Sequence, residues 1–249
     1  MDFQTATALS LPLVFAAMML LEPLIGAGRP MPAIRGWRAI GAAGLTVSLL
    51  CNALMPLVLL PLLPKWRAAH LAGWGLWGAL PTLVLTTFFT YWSHRIQHRF
   101  DILWRLGHQL HHGVARVDIA SAMIFHPVDL MVQIVMTLLA AQLLGVTPDA
   151  AALAGGLGFF VALYQHWNIA TPAWTGWFIQ RPEAHILHHA FDVHARNFGD
   201  MPIWDRLFGT YAEPTGDEIR VGFSPEAMRR WPAMIAFVDV NAGSGRARL

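Results

Sequence analysis

Residues 94–112 read HRIQHRFDILWRLGHQLHH and contain five histidines, and residues 185–189, HILHH, repeat the closing H-x-x-H-H motif. Histidines at positions i and i+4, or at i, i+3 and i+4, project from one side of a helix. A helix can in this way aim several imidazoles at one point, and neutral imidazole is a ligand for iron, zinc, copper and nickel. The spacing predicts a polyhistidine metal centre at a membrane surface, because the first motif begins where a long apolar run ends.

The composition of the whole chain indicates a membrane protein. Of its 249 residues, 55% are hydrophobic and only 13% are charged, with a mean hydropathy of +0.46, whereas soluble domains average about 25% charged residues. No polar linker divides the chain, which predicts a single domain over residues 1–249. A net charge of +2 without a dense Lys/Arg cluster argues against a nucleic-acid partner. Cys51 is the only cysteine, which leaves His, Asp and Glu as metal ligands.

Five apolar runs are candidate membrane segments, at about residues 6–21, 39–63, 71–92, 130–146 and 150–165. A helix needs about 20 residues to cross the hydrocarbon core, which the second and third runs provide. Between the fourth and fifth runs, Thr147, Pro148 and Asp149 are typical of an N-cap, a first helical position and an acidic first turn. They predict a tight hairpin, spanning or re-entrant. The expected fold is all-α: an integral membrane helical bundle of four to five spans, with a helical cap that carries the histidines.

The basic residues predict which side of the membrane carries the histidines. By connectivity, Arg29, Arg35 and Arg38 lie in a loop on the histidine side, whereas Lys65 and Arg67 lie on the opposite side. The positive-inside rule therefore favours a cytoplasmic histidine face. The bias towards arginine and alanine is typical of a GC-rich bacterial genome, so the expected location is a bacterial inner membrane.

The region after the last histidine motif differs from the rest in composition. The histidine-rich core is expected at about residues 91–211, and residues 212–249 form a separate C-terminal segment that mixes charged with aromatic residues. Within it, residues 224–226 read SPE, which is typical of a helix start. The pattern predicts an interfacial helix from this point.

Nine histidines are the candidate metal ligands. Eight come from the three motifs, enough for two ions because one tetrahedral site uses three or four ligands, and the ninth ends the fifth apolar run. They are His94, His98, His108, His111, His112, His166, His185, His188 and His189. Further ligands, or groups that hydrogen-bond the ligands, are expected among His126, His194, Asp101, Asp192, Asn197 and Asp200. The chain contains no Glu-x-x-His motif, which argues against a carboxylate-rich di-iron bundle. No catalytic residue is expected beyond the metal ligands.

Together these motifs resemble the fatty acid hydroxylase/sterol desaturase superfamily of integral membrane, histidine-box, non-haem di-iron enzymes. The resemblance rests on H-x-x-x-H at 94–98 and on H-x-x-H-H at 108–112 and 185–189. It also includes LWR at 103–105, FHP at 125–127, HWNI at 166–169, NFG at 197–199 and WDRLFGTY at 204–211. It covers about residues 91–211. The segments ASAM at 120–123 and AFD at 190–192 depart from the family pattern, and both are candidates for the substrate entrance.

The resemblance implies two iron ions, with zinc as a substitute, and molecular oxygen as co-substrate. Electrons are expected from a separate ferredoxin, cytochrome or reductase, because no dinucleotide or haem-attachment motif is present. The implied reaction is hydroxylation of an unactivated C–H bond in a membrane lipid: a fatty acyl chain, sterol or hopanoid, carotenoid, sphingolipid or ether lipid. Desaturation on the same site is the alternative, and a zinc-dependent membrane hydrolase and a metal transporter are more distant ones. Five aromatic residues are candidates to line a substrate channel, with ordinary helix packing as the favoured alternative: Phe88, Phe89, Trp92, Phe159 and Phe160.

Overall fold

The computed structural model describes residues 1–26, 28–191, 195–213 and 219–241, and within them the protein is an all-helical bundle. Five long helices build it: α1 (Phe3–Ile25), α2 (Trp37–Leu59), α3 (Ala79–Arg99), α6 (Pro127–Leu144) and α7 (Pro148–His166). Among the described residues, four helical segments are long and apolar enough to cross a membrane: Phe3–Ile25, Trp37–Leu62, Leu71–Arg99 and Pro127–Leu144. The predicted membrane helical bundle is therefore confirmed.

Short helices form the cap on one end of the bundle. They are α4 (Asp101–Leu103), a π-helical turn (Trp104–His108), α5 (Gln109–His112), α8 (Pro182–His188), α9 (Pro202–Leu207), α10 (Pro225–Met228) and α11 (Trp231–Ile235). Three 3₁₀ segments, Leu60–Leu62, Leu71–Gly78 and Ala173–Trp177, connect other parts of the chain. The histidine motifs lie where these cap helices meet the ends of α3 and α7.

The helical hairpin has the predicted construction. Gly145 ends α6 in the left-handed region with φ 59°, a conformation that glycine adopts without steric cost. The hydroxyl of Thr147 accepts a hydrogen bond from the N–H of Ala150 at 3.2 Å, and Pro148 takes the first helical position. The hairpin returns the chain to the side from which α6 began, so that the C-terminus of α7 lies beside the histidine cap.

The third apolar run differs from the predicted continuous span. Residues Leu71–Gly78 form a 3₁₀ segment in which Gly75 has φ 53°, so the regular helix begins only at Ala79. The glycines of this segment permit the irregular backbone, and its Trp74 and Trp77 side chains are exposed. At the other end α3 continues beyond the apolar run to Arg99. It therefore carries the first histidine motif within a regular helix.

Close helix packing places the central elements against one another. The helix α3 packs against α6 and α7, α1 packs against α7, and α2 packs against α6. Residues 120–123, one of the departures from the family pattern, lie under α2. A Cβ atom on Gly41 would come within 2.5 Å of the Ala120 carbonyl oxygen, so glycine is what allows this approach. The side chains of residues 120–123 are buried by helix packing. Among them, only Met123 also lines the cavity of about 610 Å³ inside the bundle.

The C-terminal segment forms two short helices, α10 and α11, where the sequence predicts one interfacial helix. Ser224 caps α10 as expected by accepting the N–H of Ala227 at 3.2 Å. The buried side chain of Met234, in α11, packs in one apolar cluster with Trp104. Gln109, in α5, donates to the carbonyl of Val238 at 2.9 Å. This segment therefore closes over the histidine cap, while Trp231 keeps an exposed apolar surface.

Candidate metal centre

Nine histidines form two adjacent groups at the cap end of the bundle. The first group contains His94, His98, His108, His112 and His188, and the second contains His111, His166, His185 and His189. In each group one ring nitrogen per residue lies within 4.8 Å of the others. Rings of the two groups touch, with the His112 and His189 centroids 4.4 Å apart. These nine residues are the nine candidate ligands named from the sequence.

Each H-x-x-H-H motif serves both groups. In residues 108–112, the first and last histidines belong to the first group and the middle one belongs to the second. In residues 185–189 the first and last histidines belong to the second group and the middle one belongs to the first. Successive residues of a helix project about 100° apart, since a turn takes 3.6 residues. The adjacent histidines at the end of each motif therefore diverge, whereas the pair at i and i+4 converges. Each of the two H-x-x-H-H motifs therefore contributes histidines to both groups.

The distances between ring nitrogens fit a metal ion at the centre of each group. Two Nε2 atoms, those of His108 and His112, lie 3.1 Å apart. In the second group the Nε2 atoms of His185 lie 3.1 Å from His189 and 3.4 Å from His166. Ligands held about 2.1 Å from one ion, the distance typical of zinc–imidazole bonds, would be separated by about 3.0 Å at octahedral and about 3.4 Å at tetrahedral angles.

Hydrogen bonds at the far side of the rings fix their tautomers. Five Nδ1 atoms face an acceptor: His94 faces Phe198 O at 2.7 Å, His108 faces an Asp129 carboxylate oxygen at 2.8 Å, His111 faces Ile124 O at 3.3 Å, His166 faces Ala162 O at 2.8 Å, and His188 faces Arg196 O at 2.8 Å. Carbonyl and carboxylate oxygens only accept, so these Nδ1 atoms carry the hydrogen. The Nε2 lone pairs are therefore directed into the two groups, as metal ligation requires.

The electrostatics keep the imidazoles neutral. Burial, reinforced by neighbouring histidines, holds the pKa values of His111, His185 and His189 well below the ordinary value of 6.5. The Nε2 atom of His94 is buried and has no hydrogen-bond partner among the described residues. Neutral rings whose nitrogens converge without protein acceptors form a donor set that suits a transition metal.

The sequence of the chain matches a known protein family. Residues 79–210 match the family model described as fatty acid hydroxylase. The chain belongs to the fatty acid hydroxylase family. It is 32% identical over 139 residues to the ornithine lipid hydroxylase OlsE of Rhizobium tropici, a match covering 53% of this chain and 41% of that protein. No solved structure matches.

Two further relatives are alkylglycerol monooxygenases. The match to the Xenopus tropicalis protein is 26% identical over 152 residues and covers 57% of this chain and 32% of the relative. The match to the Danio rerio protein is 28% identical over 141 residues and covers 54% of this chain and 30% of the relative. The matches to these three relatives thus span less than half of the length of each.

Two carboxylates support histidines through hydrogen bonds on the side away from the two groups, and neither was among the residues predicted from the sequence. Asp129, in the first turn of α6, accepts from His108 and also from Nε2 of Gln97 at 2.9 Å. Asp205 accepts the backbone N–H of Phe198 at 2.8 Å, and the carbonyl of Phe198 faces His94. Asp129 follows the FHP motif by two residues, and Asp205 belongs to the WDR motif, so both lie in segments that carry the resemblance.

Of the other residues proposed as ligands or ligand supports, those that the structure describes lie outside the two histidine groups. His126 caps α6, where its Nδ1 accepts the N–H of Val128 at 3.1 Å. Asp101 is exposed at the start of α4. Asn197 is buried and hydrogen-bonds backbone groups, so it supports α8 without reaching either group. Asp192 and His194 lie outside the described residues.

A cavity of about 610 Å³ leads from the histidines into the bundle. Both Pro148 and His166, the two ends of α7, line it, so the cavity follows this helix for roughly 28 Å at 1.5 Å per residue. That length is close to the hydrocarbon thickness of a bilayer, about 30 Å. The cavity is therefore long enough to accept an extended lipid chain beside the histidine groups.

The cavity wall contains few of the aromatic residues that were candidates for a channel. Of the five candidate channel residues, only Phe159 lines it. Phe88 packs on Trp204 with ring centroids 5.1 Å apart, and Trp92 packs on Phe208 at 4.8 Å. Helical periodicity explains the difference. On α3 the cavity face consists of Thr86, Thr90, Ser93, His94 and Gln97, which are spaced at three to four residues, and the aromatic residues fall on other faces.

Proposed function

We propose that the chain is a membrane-bound lipid hydroxylase that inserts one atom of molecular oxygen into an unactivated C–H bond of a lipid. The observation that carries the proposal is the placement of two all-histidine groups at one end of a cavity about as long as a lipid chain. Family membership supports it, as do the printed activities of the relatives on ornithine lipids and alkylglycerols.

We further propose that the two groups hold two iron ions, with zinc as a substitute that would bind without supporting the reaction. The first group would offer five imidazoles and the second group four. Iron, when bound, supplies the redox chemistry that activates oxygen, which zinc lacks because it does not change oxidation state. An all-nitrogen donor set with fixed tautomers suits both metals, so metal analysis is needed to choose between them.

The protein's own residues would bind, orient and enclose the substrate. A lipid chain in the cavity beside α7 would lie next to His94, His108, His111, His166 and His185, all of which reach the cavity wall. Holding one C–H bond near the metal groups makes the reaction effectively intramolecular, and the apolar surroundings exclude water. No general base is required for this role.

Two electrons, which together with two protons reduce the other oxygen atom to water, would come from a separate ferredoxin, cytochrome or reductase that docks on the histidine face. We place this face in the cytoplasm of a bacterial cell, at the inner membrane. The loop between α1 and α2 supports this orientation because it packs on the histidine side: the N–H of Arg29 donates to Asn168 at 2.9 Å, and Arg116 donates to the Pro32 carbonyl at 2.9 Å. Arg67 lies at the opposite end of the bundle, beside Gly145.

The proposal is tested by lipid mass spectrometry and metal analysis of a host that expresses the chain. Under heavy-isotope oxygen, a lipid should gain one labelled oxygen atom, and the purified protein should contain iron. A lipid that loses two hydrogens without gaining oxygen would establish desaturation instead. Zinc content with lipid cleavage and no oxygen consumption would establish a hydrolase. His188→Ala should abolish the labelled product, whereas the exposed His70→Ala should leave it unchanged.

A further inference from the structure

A partly buried carboxyl group lies in the cavity on the membrane side of the histidines. Asp200 lines the cavity, two residues after Phe198, whose carbonyl faces His94. Its Oδ1 accepts a hydrogen bond from Nε2 of Gln165 at 3.0 Å, and its Oδ2 accepts one from the hydroxyl of Thr90 at 3.2 Å. Thr90 precedes His94 by one turn of α3, and Gln165 directly precedes His166. Asp200 therefore lies below both histidine groups.

Both of these hydrogen-bond partners of Asp200 are neutral. Elsewhere in the described ranges, ion pairs within 4.0 Å involve other carboxylates, those of Asp129, Asp118 and Glu183. A carboxylate that is partly removed from water and has no cation beside it is unfavourable, because the lost hydration of the charge is not fully compensated. Burial accordingly raises the pKa of Asp200 above its ordinary value. A positively charged ligand in the cavity would supply the missing partner.

The cavity wall next to Asp200 also carries a buried polar group that lacks a hydrogen-bond partner. The hydroxyl oxygen of Thr86 is buried, lines the cavity and has no hydrogen-bond partner among the described residues. The neighbouring Thr82 and Thr87 instead donate to backbone carbonyls of their own helix. Thr86 and Thr90 lie one turn apart on the same face of α3. Polar side chains within membrane spans are costly unless they serve a ligand or pathway, so this stretch is suited to a polar group of a substrate.

We propose that Asp200, with Thr90 and Thr86, binds the protonated amine of an aminolipid substrate and thereby selects the carbon that reaches the histidine groups. The proposal rests on the lipid hydroxylase function proposed above and adds to it a substrate class and a position of reaction. Thr90 and His94 are one helical turn apart, about 5.4 Å along α3. The reacting carbon is then a few bonds from the amine, and the rest of the lipid occupies the remaining length of the cavity.

Binding to the metal-free protein tests this inference without any turnover. The probes are ornithine lipid, the same lipid acetylated on its free amine, and a neutral alkylglycerol, each titrated into protein in nanodiscs and measured by native mass spectrometry. The wild-type protein should bind the free amine about tenfold or more tighter than the acetylated form, as expected for a hydrogen bond between charged groups. Equal binding of the two forms, or a preference for the alkylglycerol, would overturn the proposal.

Variants then assign the preference to Asp200. In Asp200→Asn, which keeps the shape of the side chain, the free amine should lose most of its advantage, so that the two forms bind within about threefold of each other. The control is Asp101→Asn, the same change at an exposed carboxylate outside the cavity, which should keep the wild-type preference. An Asp200→Asn protein that folds and retains the full preference would exclude Asp200 as the binding group. If this variant does not fold, the comparison of free and acetylated lipid on the wild-type protein still decides whether the cavity prefers a free amine.

Turnover by the iron-loaded protein separates this inference from the proposed function. Asp200→Asn should raise KM for ornithine lipid about tenfold and spread oxygen insertion over more than one carbon, while iron content changes little, because the variant affects how the substrate is bound and not the metal groups. A fall in kcat with unchanged KM would contradict substrate recognition. Amine-selective binding without oxygen insertion would support this inference and reject the hydroxylase function. Hydroxylation without amine selectivity would support the hydroxylase function and reject this inference.

Discussion

The carboxylate of Asp129 accepts a hydrogen bond from Nδ1 of His108 at 2.8 Å, and both side chains are buried. The same carboxylate accepts a second hydrogen bond from Gln97 at 2.9 Å. Two donors therefore converge on one group that has only acceptors. This arrangement holds the hydrogen on Nδ1 of His108 and points its Nε2 towards the first histidine group.

Asp129→Asn should weaken metal binding by the first group. The asparagine amide has one acceptor oxygen for two donors, so its NH₂ group must face either His108 or Gln97. Loss of such a supporting carboxylate typically lowers metal affinity about 10- to 100-fold. The measurement is iron retained at equilibrium against a graded chelator, together with lipid turnover. Asp101→Asn is the matched control, and equal iron retention by the Asp129 and Asp101 variants would contradict the assigned role.

Single histidine replacements should remove one metal ion at a time if the two groups are separate sites. His98 belongs only to the first group and His166 only to the second. Each Ala variant is expected to lower bound iron from about two ions per chain towards one, because the remaining group keeps its full ligand set. Metal analysis of purified protein gives the stoichiometry. His70→Ala should retain the wild-type value.

A variant that loses both ions on removal of one histidine would indicate a single cooperative site. This outcome would conflict with the division of the nine rings into groups of five and four. Activity alone does not distinguish the two cases, since either loss would stop the proposed reaction. The ion count is therefore the decisive readout.

The sequence was sufficient to predict which nine histidines come together, but not their division into two groups. Eight of the nine follow from the motif spacing, because residues three or four apart share a helix face, and His166 follows from its place at the end of the fifth apolar run. The divergence of the adjacent histidines His111 and His112 could also have been derived from a rotation of about 100° per residue. Which of them meets His166 depends on how α5 lies against α7. That relation is tertiary and has no local sequence signal.

Other features depended on contacts between distant parts of the chain. The hairpin was predictable from the local signals at Thr147 and Pro148. The break in the third apolar run was missed because its residues are as hydrophobic as those of a span, and only its glycines indicated an irregular backbone. The docking of the C-terminal segment on Gln109 joins residues more than a hundred positions apart. Composition favoured the membrane interface for this segment and contained no information about that contact.

Asn197→Asp should destabilise the cap. Asn197 has φ 54°, and its side chain makes three backbone contacts: Nδ2 donates to the carbonyls of Ala184 and Ala212 at 2.8 and 2.9 Å, and Oδ1 accepts the N–H of Ala212 at 2.8 Å. Aspartate keeps the size and tolerates this backbone conformation. It replaces the amide donor by an acceptor that faces two carbonyls. Loss of these bonds in a buried site is expected to lower the free energy of unfolding by roughly 2–4 kcal/mol.

Thermal unfolding of the metal-free Asn197→Asp protein measures this effect directly. Because Ala184 lies in α8, weaker attachment of this helix should also reduce iron retention by His185 and His188. Asn168→Asp is not a suitable control, since Asn168 also bonds backbone groups. Asn52→Asp is preferable: within the described part of the chain, the side-chain amide of Asn52 donates to the Ser48 carbonyl of its own helix, α2. Equal unfolding temperatures for the Asn197 and Asn52 variants would contradict the proposed role of Asn197.

Acid should destabilise the metal-free protein in a defined direction. The pKa values of His111, His185 and His189 lie well below 6.5 in the folded protein because burial disfavours their charged forms. In the unfolded chain they titrate near the ordinary value. Below pH 6.5 the unfolded chain therefore binds more protons than the folded protein, and the free energy of unfolding falls as the pH falls. Each histidine contributes about 1.4 kcal/mol per pH unit until its own folded pKa is reached.

The test is the unfolding temperature of the metal-free protein between roughly pH 7 and pH 5, where the ordinary histidine titration lies. It should decrease steeply across this interval, and His185→Asn should reduce the slope, because one proton-binding group is removed from the unfolded chain. His70→Asn, at an exposed site, should leave the slope unchanged. An unfolding temperature that is independent of pH over this interval would mean that these imidazoles bind protons equally in both states. In that case burial would not hold them in the neutral form that ligates metal.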